Sequence, residues 1–147
     1  MSKIILCRGI PASGKSTWAK QWVEEDPKNR VRINNDDLRN MLGKYWVIER
    51  EPLVSEMKQY LTQAAMDRGY NIVIDNMNLN PKEVKFWEKV VELNNEDSDG
   101  YKYEIEFKDF FNTPLQECID RDSKRPNPIG EEVIRRIYEK YKHIIEK

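Results

Sequence analysis

The chain has 147 residues, which is enough for one domain with one hydrophobic core and too few for two ordinary domains. Charged side chains make up 35% of it, but the apolar share of 39% still fills a core, which argues against a disordered chain. The net charge of −1 excludes a basic field over the whole surface, so any contact with nucleic acid must come from a local patch. We therefore expect a single domain over residues 1–147.

The cysteines and the N-terminal segment indicate the compartment. Cys7 and Cys118 are too few for a disulfide framework and have no Cys or His at metal spacing, so we expect buried, reduced thiols. Only four consecutive apolar residues precede Arg8, which is shorter than a signal-peptide core, and no stretch approaches the roughly 20 residues that span a membrane. We expect a cytoplasmic protein without a membrane partner.

Taken in chain order, the apolar runs predict strands that alternate with helices. The predicted strands cover residues 4–7, 31–33, 72–75 and 101–110. The predicted helices cover residues 16–25, 36–42 and 52–68, and three more begin at the cap Asn80, at a capping box over residues 113–116 and at Val133. This alternation predicts an α/β fold with a central parallel sheet of four to five strands and helices on both faces.

The segment GIPASGKST, residues 9–17, lies between the first predicted strand and the first predicted helix. It fits the pattern G-x-x-x-x-G-K-[ST], in which a glycine loop and a helix N-terminus surround nucleotide phosphates. Lys15 is expected to reach the β- and γ-phosphates, and the Ser16 hydroxyl is expected to ligate Mg²⁺. The residues expected to bind ATP, or another NTP, are Gly9, Pro11, Ala12, Ser13, Gly14, Lys15, Ser16 and Thr17.

Polar residues also follow the other predicted strands, where ligands bind in a doubly wound sheet. The only histidine, His143, is far along the chain, so a carboxylate is expected to act as the base that activates an acceptor hydroxyl. Asp36 is favoured for this role and Asp37 for capping the next helix, with capping as the alternative for Asp36. Arg39 shares a helix face with Asp36 and would hold a phosphate of the same acceptor.

Asp75 ends the third predicted strand. It is expected to hold Mg²⁺ through water or to orient Ser16. Asn76 and Asn78 follow as neutral donors that face the same cleft and bind substrate, with structural turn amides as the alternative.

Two arginines mark a possible lid near the C-terminus. Arg121 and Arg125 are four residues apart and are expected to share a helix face. With the loop that follows, they form a predicted lid over residues 121–130 that closes on the nucleotide phosphates. An arginine on such a lid stabilises transition-state charge, an effect on the order of 10³–10⁵ in rate. Solvated charge at a helix end is the alternative.

Together these motifs resemble the kinase module of the polynucleotide 5′-hydroxyl kinase family. The resemblance covers nearly the whole chain and rests on GIPASGKSTW at 9–18, INNDDLR at 33–39, NLNP at 78–81 and RDSKR at 121–125. It implies a P-loop kinase fold with an Arg-bearing helical lid. It further implies Mg²⁺-dependent transfer of the ATP γ-phosphoryl group to a 5′-OH end of RNA or DNA, in nucleic-acid end repair.

The resemblance also implies individual roles. Asp36 would activate the 5′-OH, Arg39 would contact the 3′-phosphate of the terminal nucleotide, and Arg125 would act on the transferring phosphoryl group. The family pattern has an acidic residue at the position of Asn76, so the partner of Arg39 is left open. The phosphatase half of the phage-type enzyme is missing, so a separate phosphatase or ligase protein is expected to complete the repair.

Two other functions fit parts of the sequence. A small-metabolite or nucleotide-sugar kinase would share the phosphate loop, an aspartate after the second strand and lid arginines. A non-catalytic nucleotide-dependent binding module is less favoured, because the N-K-x-D signal of base-reading GTPases is missing. The aromatic pair Tyr45 and Trp46 either stacks an end base or belongs to the core.

Overall fold

The computed structural model describes residues 1–147 and has four strands and six α-helices. The strands are β1 (Ser2–Arg8), β2 (Arg30–Ile33), β3 (Asn71–Ile74) and β4 (Tyr103–Asp109). The helices are α1 (Lys15–Glu25), α2 (Asn35–Met41), α3 (Glu51–Asp67), α4 (Pro81–Asn95), α5 (Leu115–Ser123) and α6 (Glu131–Ile145), with a 3₁₀ turn (Ile48–Arg50) before α3. The predicted alternation of strands and helices is confirmed.

The four strands form one parallel sheet in the order β2-β3-β1-β4. The central strand β1 places Ile5 beside Val73 of β3 and Glu106 of β4. Because all four strands run in the same direction, their carboxyl ends meet at one edge of the sheet. The loops that follow β1, β2 and β3 therefore lie next to one another.

Apolar clusters cover both faces of the sheet. One cluster joins the sheet to α3 and α4 and includes Ile4, Leu6, Ile72, Ile74, Met66 and Trp87. The other joins it to α1 and includes Ile5, Cys7, Val73 and Ala19. Since β1 and β3 are buried from both sides, they carry nearly continuous apolar runs. Each fully buried aliphatic side chain contributes about 1.5–3 kcal/mol.

A third cluster lies beneath the loop after β1 and packs it against α5 and α6. It includes Ile10, Ala12, Leu79, Cys118, Ile119 and Ile134. Both cysteines are free and buried, and burial raises the pKa of the Cys7 thiol to about 12. The prediction of buried, unpaired thiols is thus confirmed. None of the helices has the length and apolar character that a membrane crossing requires.

The predicted capping box over residues 113–116 is wrong. Pro114 is the residue at the N-cap of α5, and no side chain caps this helix. Thr113 instead donates its hydroxyl to the backbone carbonyl of Ser13, with 3.0 Å between the oxygens. The extended backbone of Pro114 keeps Thr113 outside the helix, so its hydroxyl fastens the β4–α5 connection to the loop after β1.

Candidate active site

The loop between β1 and α1 has the backbone shape that a phosphate chain requires. A Cβ atom on Gly9 would lie 2.6 Å from Ser13 Oγ and 3.3 Å from the Phe110 carbonyl oxygen, so a side chain there would displace the Ser13 hydroxyl from the loop. Gly14 has a φ of +109° and precedes α1 without a side-chain cap, which leaves the first N–H groups of that helix available to an anion. Ala12 adopts a φ of +64°, a left-handed conformation that costs about 1–3 kcal/mol in a residue with a side chain.

Lys15 begins α1, and its side chain is folded back into the loop. Its Nζ donates to the carbonyl oxygens of Gly9 and Ile10 at 2.9 and 2.7 Å, and it lies 3.4 Å from Ser13 Oγ. Burial lowers the pKa of Lys15 to about 8, and the carboxylate of Asp75 opposes part of this effect. The side chain is thus charged at neutral pH and must turn away from these carbonyls to reach a phosphate.

Asp75 follows β3 and is 1% exposed. Arg32 Nε donates to Asp75 Oδ2 at 2.7 Å, whereas Oδ1 is buried and has no hydrogen-bond partner. A buried carboxylate oxygen without a hydrogen bond costs free energy. We expect such an oxygen at a position where a cation or a cation-bound water binds. Ser16 lines the same cavity as Asp75, and no group of three or more His, Cys, Asp or Glu side chains competes as a metal site. This donor set fits Mg²⁺, which binds few protein oxygens and takes phosphate and water for the rest.

Asp36 lies in the first turn of α2 and is not used as a cap. Asn34 caps the helix, because its Oδ1 accepts the N–H of Asp37 at 2.9 Å. Arg39 Nη1 and the Tyr45 hydroxyl both donate to Asp36 Oδ1, at 2.7 and 2.9 Å. Since both donors use one carboxylate oxygen, Oδ2 keeps its lone pairs for another partner.

The structure identifies Glu51, at the start of α3, as the partner of Arg39 that the sequence left open. Arg39 Nε and Nη2 donate to the two carboxylate oxygens of Glu51 at 3.0 and 2.7 Å, in the bidentate geometry that Arg favours. These hydrogen bonds raise the pKa of Arg39, and the same contact lowers the pKa of Glu51. Sequence reasoning missed Glu51, because only the packing of α2 against α3 brings it to Arg39. It also missed the contact of Tyr45, which lies in the loop after α2 and donates to Asp36 from there.

The two asparagines after β3 differ in their surroundings. Asn76 lines the cavity, and its Oδ1 accepts the N–H of Asn35 at 3.0 Å. Asn78 is buried with a φ of +48°, and its amide donates to the carbonyls of Cys7 and Ile74 at 2.8 and 3.1 Å. The expectation that Asn78 faces the cleft is wrong, because its donors are used to join the end of β1 to the end of β3.

The predicted shared helix face of Arg121 and Arg125 is also wrong. α5 ends at Ser123, because the buried Asp122 carboxylate accepts the N–H groups of Ile129 and Gly130 at 3.1 and 2.9 Å and turns the chain. Arg125 therefore lies in the loop between α5 and α6.

Both arginines of the predicted lid nevertheless line the same cavity as the phosphate loop. Arg121 donates to Glu117 at 2.7 Å and reaches the carbonyl of Ala12 at 3.3 Å, whereas Arg125 forms no ion pair. The charge of Arg125 is thus open to a ligand.

One cavity of about 780 Å³ joins these groups. Of the site residues predicted from the sequence, only Gly9 and Asn78 do not line it. The lining set includes Pro11, Ala12, Ser13, Gly14, Lys15, Ser16, Thr17, Asp36, Arg39, Tyr45, Asp75, Asn76, Arg121 and Arg125. The exposed Asp37 pairs with Arg32 outside it, and His143 lies far away in the last turn of α6. A phosphate cradle, a carboxylate and several arginines therefore share one space.

The parallel sheet, the loop after β1 and the helices on both faces define an α/β protein with the P-loop kinase fold. A family model described as an AAA domain matches residues 4–144, and the chain belongs to this family.

Similar proteins confirm the resemblance to polynucleotide kinases. A putative bifunctional polynucleotide kinase/RNA ligase of Autographa californica nuclear polyhedrosis virus is 28% identical over 158 residues, covering 95% of this chain and 21% of the viral protein. An L-seryl-tRNA(Sec) kinase of Methanococcus maripaludis is 26% identical over 140 residues, covering 94% of this chain and 52% of that protein. A chain in the solved Pnkp1/Rnl/Hen1 RNA repair complex superposes with a TM-score of 0.71 at 25% identity, over 99% of this chain and 45% of that chain. The chain thus spans about a fifth to a half of the length of these relatives.

The affinity for ATP is expected to fall as the pH rises through about 8, the pKa of Lys15 in the free protein. Only the charged ammonium stabilises bound phosphate, so the dissociation constant should rise by up to about tenfold per pH unit above that value. Titration calorimetry from neutral pH upward measures this. Lys15→Met should bind ATP weakly at every pH, and an equal decline in that variant would assign the effect to another group.

The stability of the free protein should change in the opposite direction over the same range. The unfolded chain keeps the Lys15 proton up to the ordinary pKa of 10.5, whereas the folded chain releases it near 8. The free energy of unfolding should therefore gain a contribution from Lys15 as the pH rises between these values, and Lys15→Met should lack it.

Proposed function

We propose that this chain transfers the γ-phosphoryl group of ATP to the 5′-OH end of RNA or DNA, in nucleic-acid end repair. The observation that carries the proposal is the single cavity, which has the phosphate loop at one end and the Asp36–Arg39 pair at the other. A phosphoryl transfer requires positioning and charge neutralisation on both sides of the moving group. This arrangement supplies both.

The relatives support a polynucleotide acceptor. The names of the two curated relatives described above are those of kinases that act on a polynucleotide or on a tRNA-linked group, and one solved neighbour belongs to an RNA repair complex. Because the solved neighbour belongs to a complex of several repair proteins, a separate ligase or phosphatase is part of the proposal as the partner that completes repair.

On the donor side, the N–H groups of the loop and of the first turn of α1 would hold the ATP phosphates. Lys15 would leave the carbonyls of Gly9 and Ile10 and donate to the β- and γ-phosphates. Ser16 and Asp75 would hold Mg²⁺ directly or through water, and the ion would neutralise charge on the phosphate oxygens. The unpaired Asp75 Oδ1 supports this assignment.

On the acceptor side, Asp36 would take the proton of the 5′-OH through Oδ2 while that oxygen attacks the γ-phosphorus. The bond from phosphorus to the β,γ-bridging oxygen breaks and ADP leaves. Three of the five N–H groups of Arg39 are used by Glu51 and Asp36, and the other two are open to the 3′-phosphate of the terminal nucleotide. Arg121 and Arg125 would neutralise the charge of the transferring group.

Trp46 offers a stacking surface beside this network. It is 53% exposed, and the Arg39 guanidinium carbon lies 5.4 Å from its ring centroid. An end base stacked on this ring would lie next to Arg39, and such stacking contributes about 1–3 kcal/mol per base.

A hydroxyl on another acceptor is the second candidate. The similarity to an L-seryl-tRNA(Sec) kinase over 94% of the chain favours an aminoacyl-tRNA hydroxyl as one such acceptor. Small metabolites and nucleotide sugars belong to the same alternative, because they need the same donor loop and the same kind of base.

Transfer of labelled phosphate from ATP should appear on oligonucleotides when a panel of acceptors is offered. The panel contains 5′-OH oligoribonucleotides, 5′-OH oligodeoxynucleotides, seryl-tRNA, nucleosides and sugars. Label on both or either oligonucleotide supports the proposal. Label on seryl-tRNA or sugars with none on a 5′-OH end would replace the proposed acceptor while leaving the donor side intact.

Asp36→Asn is expected to lower the rate of transfer by about 10²–10⁴-fold, because the amide cannot accept the proton. ATP affinity should change little, since Asp36 lies on the acceptor side. Asp67→Asn is the matched control, because this exposed carboxylate lies outside the cavity and its side chain contacts only Gln63. Equal losses in the two variants would remove Asp36 as the base.

Glu51→Gln is expected to raise KM for a 3′-phosphorylated acceptor more than for one without that phosphate. The loss of the bidentate contact loosens Arg39, and Arg39→Ala should show the same pattern more strongly. Glu49→Gln is the control, because Glu49 is an exposed neighbour without an ion pair. Equal KM changes for both acceptors would argue against the phosphate contact of Arg39.

A further inference from the structure

The strand β4 forms an edge of the sheet, and no further strand pairs with it. Its only neighbour is β1, and five of its seven residues are exposed, namely Glu104, Glu106, Phe107, Lys108 and Asp109. Phe107 is a large apolar side chain with 44% exposure. The strand contains no Pro or Gly, and its register with β1 is continuous, so no bulge interrupts it. An edge of this kind can pair with a further strand.

The backbone hydrogen bonds show which residues of β4 face outward. The carbonyl oxygen of Lys102 accepts the N–H of Ser2 at 3.0 Å, and the N–H of Phe110 donates to the carbonyl oxygen of Arg8 at 2.8 Å. The even-numbered residues therefore direct their backbone N–H and C=O groups toward β1. The odd-numbered residues therefore direct their N–H and C=O groups away from the sheet. Tyr103 is the first of these, and the Asn95 side chain binds both its N–H and its C=O, at 2.9 and 2.8 Å.

The outward N–H and C=O groups of three residues, Ile105, Phe107 and Asp109, have no hydrogen-bond partner, although the Asp109 carboxylate itself accepts from Arg8. They are symmetric about Phe107. We propose that β4 pairs in antiparallel orientation with β4 of a second copy of this chain, about a twofold axis at Phe107. Phe107 then faces Phe107 of the second copy, and Ile105 faces Asp109 in both directions. Each facing pair exchanges two backbone hydrogen bonds, so every free group of the edge is used.

Charge and the free backbone groups together select this register. With the axis at Phe107, Glu106 lies opposite Lys108 of the second copy, and the pair occurs twice. Moving the axis to Glu106 places Glu104 opposite Lys108, but it places Glu106 opposite itself and Asp109 opposite Tyr103, whose backbone groups Asn95 already binds. Moving the axis to Ile105 places Glu104 opposite Glu106. Opposite charges on facing strands stabilise pairing, and like charges weaken it. The Phe107 pair adds an aromatic contact at the centre.

The dimer is independent of the proposed function, because no β4 residue lines the cavity. Sedimentation velocity over a wide concentration range should show a monomer–dimer equilibrium for the wild-type chain. Lys108→Glu and Glu106→Lys should each weaken dimerisation about tenfold by placing like charges in both facing pairs. The double variant restores the opposite charges and should recover the dimer. Lys89→Glu, an exposed charge reversal on α4, should have no effect.

Phe107→Pro tests the backbone contacts separately. It removes an outward N–H and leaves the hydrogen bonds to β1 in place, so it should abolish the dimer while circular dichroism shows a folded monomer. A wild-type chain that stays monomeric at every concentration would overturn the proposal. A dimer that survives both Phe107→Pro and Lys108→Glu would use another surface and would also overturn it, as would singly weakened variants that the charge swap fails to rescue.

Discussion

The buried ion pair between Arg32 and Asp75 is the contact on which both halves of the candidate site depend. It joins β2 to the end of β3, and the backbone carbonyl of Asp75 also accepts from the Asn34 amide, whose oxygen caps α2. The helix that carries Asp36 is thereby held against the end of β3. The same carboxylate acts on Lys15, whose pKa it raises against the effect of burial. A buried ion pair adds little net stability, because desolvation offsets its attraction, so its consequence here is position.

The two halves of the cavity are built by different means. On the donor side, the phosphate site is formed by the backbone, because the shape of the loop at Gly9 and Gly14 presents N–H groups to an anion. On the acceptor side, the side chains of Asp36, Arg39 and Glu51 hold one another through hydrogen bonds. A backbone cradle suits a phosphate chain that is the same in every nucleotide, whereas a side-chain network can be shaped to one acceptor.

Local sequence patterns predicted the elements and the loop because their causes are local. The apolar run of β1 and the glycine spacing of the loop depend on residues close in the chain. Predictions failed where a side chain forms a hydrogen bond with a residue that is distant in the sequence. The Thr113 hydroxyl binds the Ser13 carbonyl, and the Asn78 amide binds the carbonyl of Cys7, so neither has the role that its neighbours indicated. Arg125 lies outside α5, because the Asp122 carboxylate accepts a backbone N–H group from the loop beyond the helix.

The sequence by itself determined the alternating α/β order and the phosphate loop, since periodicity and spacing encode them directly, and it offered Asp36 as a candidate base from its position after the second strand. The tertiary structure decided which charged side chains form ion pairs with one another. Glu51 is twelve residues from Arg39, and Asp75 is forty-three from Arg32, yet each pair forms at hydrogen-bond distance. It also decided that Asn95 closes one end of the β4 edge and leaves the rest open. These contacts depend on how the sheet and its helices pack, and a hydrogen bond between distant residues leaves no periodic trace in the chain.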